Sequence, residues 1–295
     1  MIRIPLTLAA ILTLGSSVSA DDALELKDFA KRHHATVTSY GIGMHALVFT
    51  GKATDDDMTA LEKSAPKSFS ALELGNASLV TDAGFLQLKS MSCVLSLDLP
   101  PQVTNKGVAD LKKRFPSATQ IRYLAPDKKG ALDNDGVKAI LEVETLRDLS
   151  LSHGRIDDGI WESLGKHTKL RTLSVQSGTI SGKGIVALKG CTDLTQVYLF
   201  DCPLAAGVGK SIAKIPALWS LSLNGCTVGD EEMSPLAEMP TLNSLTLSGT
   251  AVGDAGLLML APSKSLTNVT TVTTKVTKEG VAKLNKLNPK IKVVN

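Results

Sequence analysis

Residues 242–265 read LNSLTLSGTAVGDAGLLMLAPSKS, and the 24 residues before them, 218–241, read LWSLSLNGCTVGDEEMSPLAEMPT. Leucines fall at matching places, a Gly-Thr or Gly-Cys pair follows, then Val-Gly-Asp, then a leucine-rich run. Taking Leu242 and Leu218 as the first position extends the pattern back through Leu194, Leu170 and Leu146 and forward to Leu266. Apolar residues return at fixed offsets, as Leu149 and Leu151, Leu173 and Val175, Val197 and Leu199, Leu221 and Leu223, Leu245 and Leu247. A further column holds Ile156, Ile180, Leu204, Val228 and Val252, and the last holds Leu164, Leu188, Ile212, Leu236 and Leu260. Coincidence of so many columns requires a structural repeat.

Two inward side chains separated by one outward residue make a short strand of period two. Such a strand cannot bury its apolar face alone. Stacking units about 4.8 Å apart pairs each strand with a parallel neighbour and creates one shared core. The chain then has to turn, and Gly178, Gly225 and Gly249 suit positions of positive φ. Thr54-Asp55, Thr81-Asp82, Asp230 and Asp254 follow where a short helix begins, and are expected to offer oxygens to its unpaired amides.

Upstream the spacing loosens, but MHALVFTGKATDDDMTAL (44–61), LELGNASLVTDAGFLQL (72–88), LDLPPQVTNKGVADL (97–111) and IRYLAPDKKGALDNDGVKAIL (121–141) keep the same order of strand, turn and apolar helix. The last carries a small insertion around Pro126–Gly130. The pattern L-x-x-L-x-L-x-x-[NCT]-x-L resembles the leucine-rich repeat family, and its continuation V-x-D-x-G-L-x-x-L is similar to secreted bacterial repeats and to the cysteine-containing subclass. The resemblance spans 44–295. It implies an α/β solenoid of about ten units, with a parallel sheet on the concave face and short helices on the convex face. It implies no particular ligand.

Open ends of such a stack expose core, so caps are expected. Residues 21–43 do not fit the repeat; Leu24, Phe29 and Ala30 suggest an amphipathic helix over the first unit. Ile291, Val293 and Val294 suggest a final strand. Residues 1–20, MIRIPLTLAAILTLGSSVSA, have a basic start, an apolar stretch shorter than a bilayer span and a small-residue cleavage pattern, as in a secretory signal peptide. No cysteine follows, which argues against a lipoprotein anchor. The expectation is export to the periplasm or the cell exterior, with no membrane span after cleavage.

A net charge of +3 gives no electrostatic case for nucleic acid. Gly207-Val208-Gly209-Lys210-Ser211 ends like a phosphate loop, but the pattern needs glycine where the core residue Leu204 stands. Asp55-Asp56-Asp57 reads as a favourable helix start rather than a cation site. His33 and His34 fall in the cap, and His45, His153 and His167 are scattered. No metal-ligand spacing and no nucleophile motif occurs, so neither cofactor nor catalysis is expected. Cys202 and Cys226 share one column. Stacking at about 5 Å exceeds the Cβ separation of about 3.8 Å that a relaxed disulfide wants, favouring a reduced ladder.

The outward strand residues remain as candidates. Most are small hydroxyls or amides, but Tyr198 and Phe200 are large, and Trp219 lies on the next unit. Exposed aromatics dominate binding hot spots. A protein partner is therefore expected at Tyr198, Phe200 and Trp219, with Gln196, Gln176, Arg171 and Asn224 as a polar rim. A glycan is the alternative ligand, and a structural envelope role the alternative without one. Trp161 falls in a helix column and is expected in the core.

Overall fold

The computed structural model describes residues 20–40, 44–64, 68–125, 132–152, 154–177 and 179–295. Apart from the backbone of Ala20, the stretch read as a secretory signal peptide lies outside the described residues, as do His153, Gly178 and the insertion around Pro126–Gly130. A helix, α1 (Ala20–Arg32), is followed by β1 (Ala35–Ser39) and β2 (His45–Phe49). There follow β3 (Ala71–Glu73), β4 (Ser96–Asp98), β5 (Gln120–Leu124), β6 (Asp148–Ser152), β7 (Thr172–Gln176) and β8 (Gln196–Phe200). The chain ends with β9 (Ser220–Ser222), β10 (Ser244–Thr246), β11 (Asn268–Thr270) and β12 (Lys292–Val294). These form one 12-stranded sheet in sequence order. Only β1 runs antiparallel, pairing with β2; every later pair is parallel.

Each parallel pair is in the register that the repeat demands: Leu149 lies opposite Leu173, Leu173 opposite Val197, Val197 opposite Leu221 and Leu221 opposite Leu245. The inward columns are buried without interruption, from Leu47 through Leu72, Leu97, Ile121 and Leu149 to Val269. Short α or 3-10 helices cross behind the sheet and close the other wall of the core. Trp161 is 1% exposed in that wall, with Nε1 donating to Asp158 at 3.0 Å.

At the start of the stack, Leu26, Phe29 and Ala30 of α1 are buried, whereas Leu24 is 60% exposed. The helix is thus rotated from the expectation: Leu26, one turn from Phe29 and Ala30, takes the inward place. The cap also contributes β1, which the sequence did not announce; it covers the free edge of β2 with an antiparallel neighbour, a known way to blunt an exposed edge. His33 and His34 tie this cap to the first unit, placing Nδ1 atoms 3.3 and 3.1 Å from the Asp57 carboxylate. Burial opposes the charge on Asp57, but the Thr54 amide and the two histidines outweigh it and hold the carboxyl below its usual range.

The acids at the helix starts do something other than expected. Thr81 caps its own helix by accepting from the Ala83 amide, while Asp82 reaches forward to the next unit and accepts from the Thr104 amide at 2.8 Å and from its hydroxyl. Asp55 does the same for Thr81 (2.8 and 2.7 Å), and Asp254 for Thr277 (2.7 and 2.8 Å). Where the receiving cap is itself an aspartate, the reaching residue is an asparagine: Asn105 Nδ2 donates to Asp133 at 2.6 Å and Asn134 Nδ2 to Asp157 at 2.5 Å. The pairing follows from charge. A carboxylate accepts from threonine, but it would face a second carboxylate at 133 or 157, so an amide supplies the donor.

The glycines two or three residues after each cap have the same origin. A Cβ at Gly84, Gly256 or Gly280 would lie 2.2, 2.4 or 2.1 Å from an Asp oxygen of the preceding unit. At Gly84 and Gly256 the obstacle includes the main chain of that unit, since the Cα of Asp55 and of Asp230 would stand 2.6 and 2.8 Å from the added Cβ. Substituting Asn134→Asp is expected to cost about 1–3 kcal/mol, through loss of the Nδ2 donor and repulsion by Asp157. The urea midpoint measures it, and an unchanged midpoint overturns the pairing.

Candidate partner-binding face

The face of the sheet turned away from the core carries three rows of side chains set by strand register. In the middle row Tyr198 sits between Ser174 and Ser222. The row before it holds Thr172, Gln196 and Ser220. The row after holds Gln176 opposite Phe200, and the ladder continues through the Asp201 amide donating to the Asn224 carbonyl at 2.9 Å, which brings Asn224 alongside Phe200.

Tyr198 and Phe200 are each partly exposed. The Tyr198 hydroxyl donates to Gln196 Oε1 at 2.8 Å, which aims the ring along its own strand. Ser174 and Ser222, on either side, are sunk to 7% and 5% exposure between larger neighbours. Gln176 spans two units: its Oε1 accepts from Ser152 Oγ at 3.2 Å and its Nε2 donates to Asp201 at 2.9 Å.

Trp219 is 50% exposed but is not directly beside the other two rings. Its amide donates to the Thr195 carbonyl at 2.8 Å, so it belongs to the row ahead of the strand, together with Arg171 and Thr195. Three residues separate that row from Tyr198, roughly 10 Å along a strand. No ring stacking joins Tyr198, Phe200 and Trp219 among the described residues. The single cluster expected from the sequence is therefore two patches: Tyr198, Phe200, Gln196, Gln176 and Asn224 on the face, and Trp219 with Arg171 at its margin.

The first half of the face, whose looser spacing hid it in the sequence, is charged. Glu73 lies opposite Asp98, and Asp98 opposite Arg122. Arg122 grips Asp98 with both arms of its guanidinium, Nε to Oδ1 at 2.5 Å and Nη2 to Oδ2, while Tyr40 from the cap donates to Glu73 at 3.3 Å. Burial pushes the Asp98 carboxyl up and the Arg122 fork pulls it back; Asp98 is 7% exposed. Leu124, one row on, is 45% exposed. The available sequence signal was Asp98 between Leu97 and Leu99, a strand of period two.

Behind the sheet, the amides of the phosphate-loop-like turn are already filled. Glu232 of the next unit accepts from the Gly207 and Gly209 amides at 2.6 and 2.7 Å. A nest of amides that favours an anion thus holds one of the protein's own carboxylates. Cys202 and Cys226 donate to main-chain carbonyls, Cys202 to Phe200 at 3.3 Å and Cys226 to Leu199 at 3.5 Å. Among the described residues no group of His, Cys, Asp and Glu is arranged to hold a metal ion, and no helix is long and apolar enough to cross a membrane.

A family model described as "Leucine Rich repeat" matches residues 166–189 and 238–261. Among solved structures, the chain is similar to an internalin from Listeria monocytogenes, 16% identical over 96% of this chain and 98% of that one, with a TM-score of 0.49. An internalin C2 from the same organism is 19% identical over 86% of this chain and 92% of that one, with a TM-score of 0.47. The ectodomain of the Arabidopsis receptor kinase HAESA, solved with a peptide hormone ligand, is 18% identical over 72% of this chain and 35% of that one, with a TM-score of 0.49. No curated protein matches the sequence. The fold itself rests on the chain's own register. With two of its units matched and the same strand, turn and helix recurring throughout the stack, the chain is a leucine-rich repeat solenoid.

Proposed function

We propose that the chain is an exported, non-catalytic binding protein that takes a protein partner on the concave face of its sheet. Tyr198 and Phe200 act as apolar anchors, Gln196, Gln176 and Asn224 orient the partner, and Trp219 with Arg171 forms an outlying contact at the margin. The observation that carries this reading is two large aromatic rings, each partly exposed, in a field of serine and threonine. Aromatic side chains bring 150–250 Å² of contact area each and lose little rotamer freedom on docking.

Replacing Tyr198, Phe200 and Trp219 together by alanine is expected to abolish capture of the partner from the native envelope while leaving the circular dichroism unchanged. Their backbones are held by the ladder and their side chains are outside the core. Capture that survives the triple substitution puts the site elsewhere. A glycan array probed with the same protein is expected to be blank; a specific sugar bound there would replace the protein partner in this reading. Trp161 is buried and Trp219 half-exposed. With Trp161→Phe, ligand-dependent quenching therefore reports on Trp219 alone.

A further inference from the structure

The end of β8 carries a second, sharper signal. Asp201 follows Phe200 with a positive φ of 53°, in the column where Gly225 (φ 67°) and Gly249 (φ 71°) stand in the next two units. Glycine takes this conformation freely, whereas a residue with a side chain is strained in it and persists there only when its surroundings fix it. Thr273 shares the column and the conformation, at φ 58°, but brings no charge.

The surroundings of Asp201 do fix it. A hydrogen-bond chain runs from Ser152 through Gln176 and ends on Asp201 Oδ2 at 2.9 Å. The other oxygen lies over Gly225, where an added Cβ would stand 2.3 Å from Oδ1. The result is an exposed carboxylate that forms no ion pair among the described residues, although the chain as a whole has more cations than anions. Beside it, Asn224 Oδ1 is buried with no hydrogen-bond partner among the described residues, as is Ser222 Oγ in the Tyr198 row. Asp201 keeps acceptor capacity beyond its one bond from Gln176, and the Asn224 amide oxygen alongside Phe200 receives no hydrogen bond among the described residues.

We infer that this position receives a basic side chain of the partner, a lysine or an arginine. Its ammonium or guanidinium group meets the Asp201 carboxylate, its stem lies against Phe200, and a small movement brings Asn224 Oδ1 within reach of its N–H groups. A cation beside an aromatic face and opposite a carboxylate gains from both. The inference rests on the reading that the partner docks on this face, and adds which residue type the partner must present there.

The test is selection of linear peptides from a random phage-displayed library against the mature chain, followed by binding of the selected peptides to Asp201→Asn. Asparagine tolerates the left-handed conformation and keeps the acceptor oxygen, so the variant removes charge and little else; an unchanged melting temperature verifies this. The selected peptides are expected to share a lysine or arginine, and to bind Asp201→Asn about tenfold or more weakly. Raising salt should weaken the parent and not the variant. Peptides without a common basic residue, or equally tight on Asp201→Asn, overturn the inference. If such peptides still lose binding in the Tyr198, Phe200 and Trp219 triple alanine chain, the broader reading survives that result. A library that yields no binder to the parent chain counts against both.

Discussion

Arg122→Leu is expected to lower stability by about 3–5 kcal/mol, the largest loss from any single charged residue on the sheet. The arginine holds Asp98 by two parallel hydrogen bonds, and Asp98 is 7% exposed. Removing one partner leaves a carboxylate in a space that water hardly reaches, and its desolvation is no longer offset. The pH dependence gives the signature. Burial already pushes the Asp98 carboxyl up, and losing Arg122 removes the group that opposes this. A carboxyl raised in the folded state binds more protons folded than unfolded. Its effect is destabilising as pH rises through that window and is relieved as pH falls. The deficit of Arg122→Leu in urea should therefore shrink steadily from neutral pH towards the ordinary carboxylate range. Removing both groups, as Arg122→Leu with Asp98→Leu, should recover much of the loss. A deficit indifferent to pH, or no recovery in the double variant, refutes the account.

Gly84→Ala is expected to destabilise by about 3 kcal/mol, although alanine is the better helix former by about 1 kcal/mol. Propensity and packing thus predict opposite signs at a single site. The added Cβ would lie 2.2 Å from Asp55 Oδ1 and 2.6 Å from Asp55 Cα. A side chain can swing aside, but a Cα cannot move without shifting the unit that carries it. Deleting the carboxylate with Asp55→Ala should accordingly fail to rescue the variant. Gly75→Ala is the control, because its nearest neighbours are Asp98 side-chain atoms at 3.8 Å and beyond. Urea midpoints of the three chains decide the matter, and a stabilised Gly84→Ala would mean the neighbouring units are looser than their geometry requires.

What could be read from the sequence divides along physical lines. From Leu146 onwards the core columns recur every 24 residues, and one fixed period is enough to place each inward leucine and, by alternation, each outward side chain. Before that the steps are uneven: 25 residues from Ala46 to Ala71 and from Ala71 to Ser96, 24 from Ser96 to Gln120 and 28 from Gln120 to Asp148. With no one period running through them, Glu73, Asp98 and Arg122 were not read as sharing one face. Trp219 was read on the next unit, but its distance from the two rings was not legible, because alternation is a property of strands and that residue stands just ahead of one. The aspartates at the helix starts were recognised as caps because their type fits that role, but sequence separation conceals that Asp82 serves Thr104 rather than its own helix. Cys202 and Cys226 shared a column legibly; that Cys226 donates to Leu199, on the strand of the preceding unit, was not legible.

The reaching acid and the glycine that makes room for it bear on how such a chain lengthens. Asp254 occupies the space that Gly280 leaves open, just as Asp230 occupies that of Gly256. A tandem copy of one such segment inherits tenon and mortise together, so gene duplication can extend the array without any compensating substitution. Segments headed by Asp133 or Asp157 are less portable, since each needs an asparagine immediately upstream. Recombination that shuffled them would be purged, leaving their order as a record of descent.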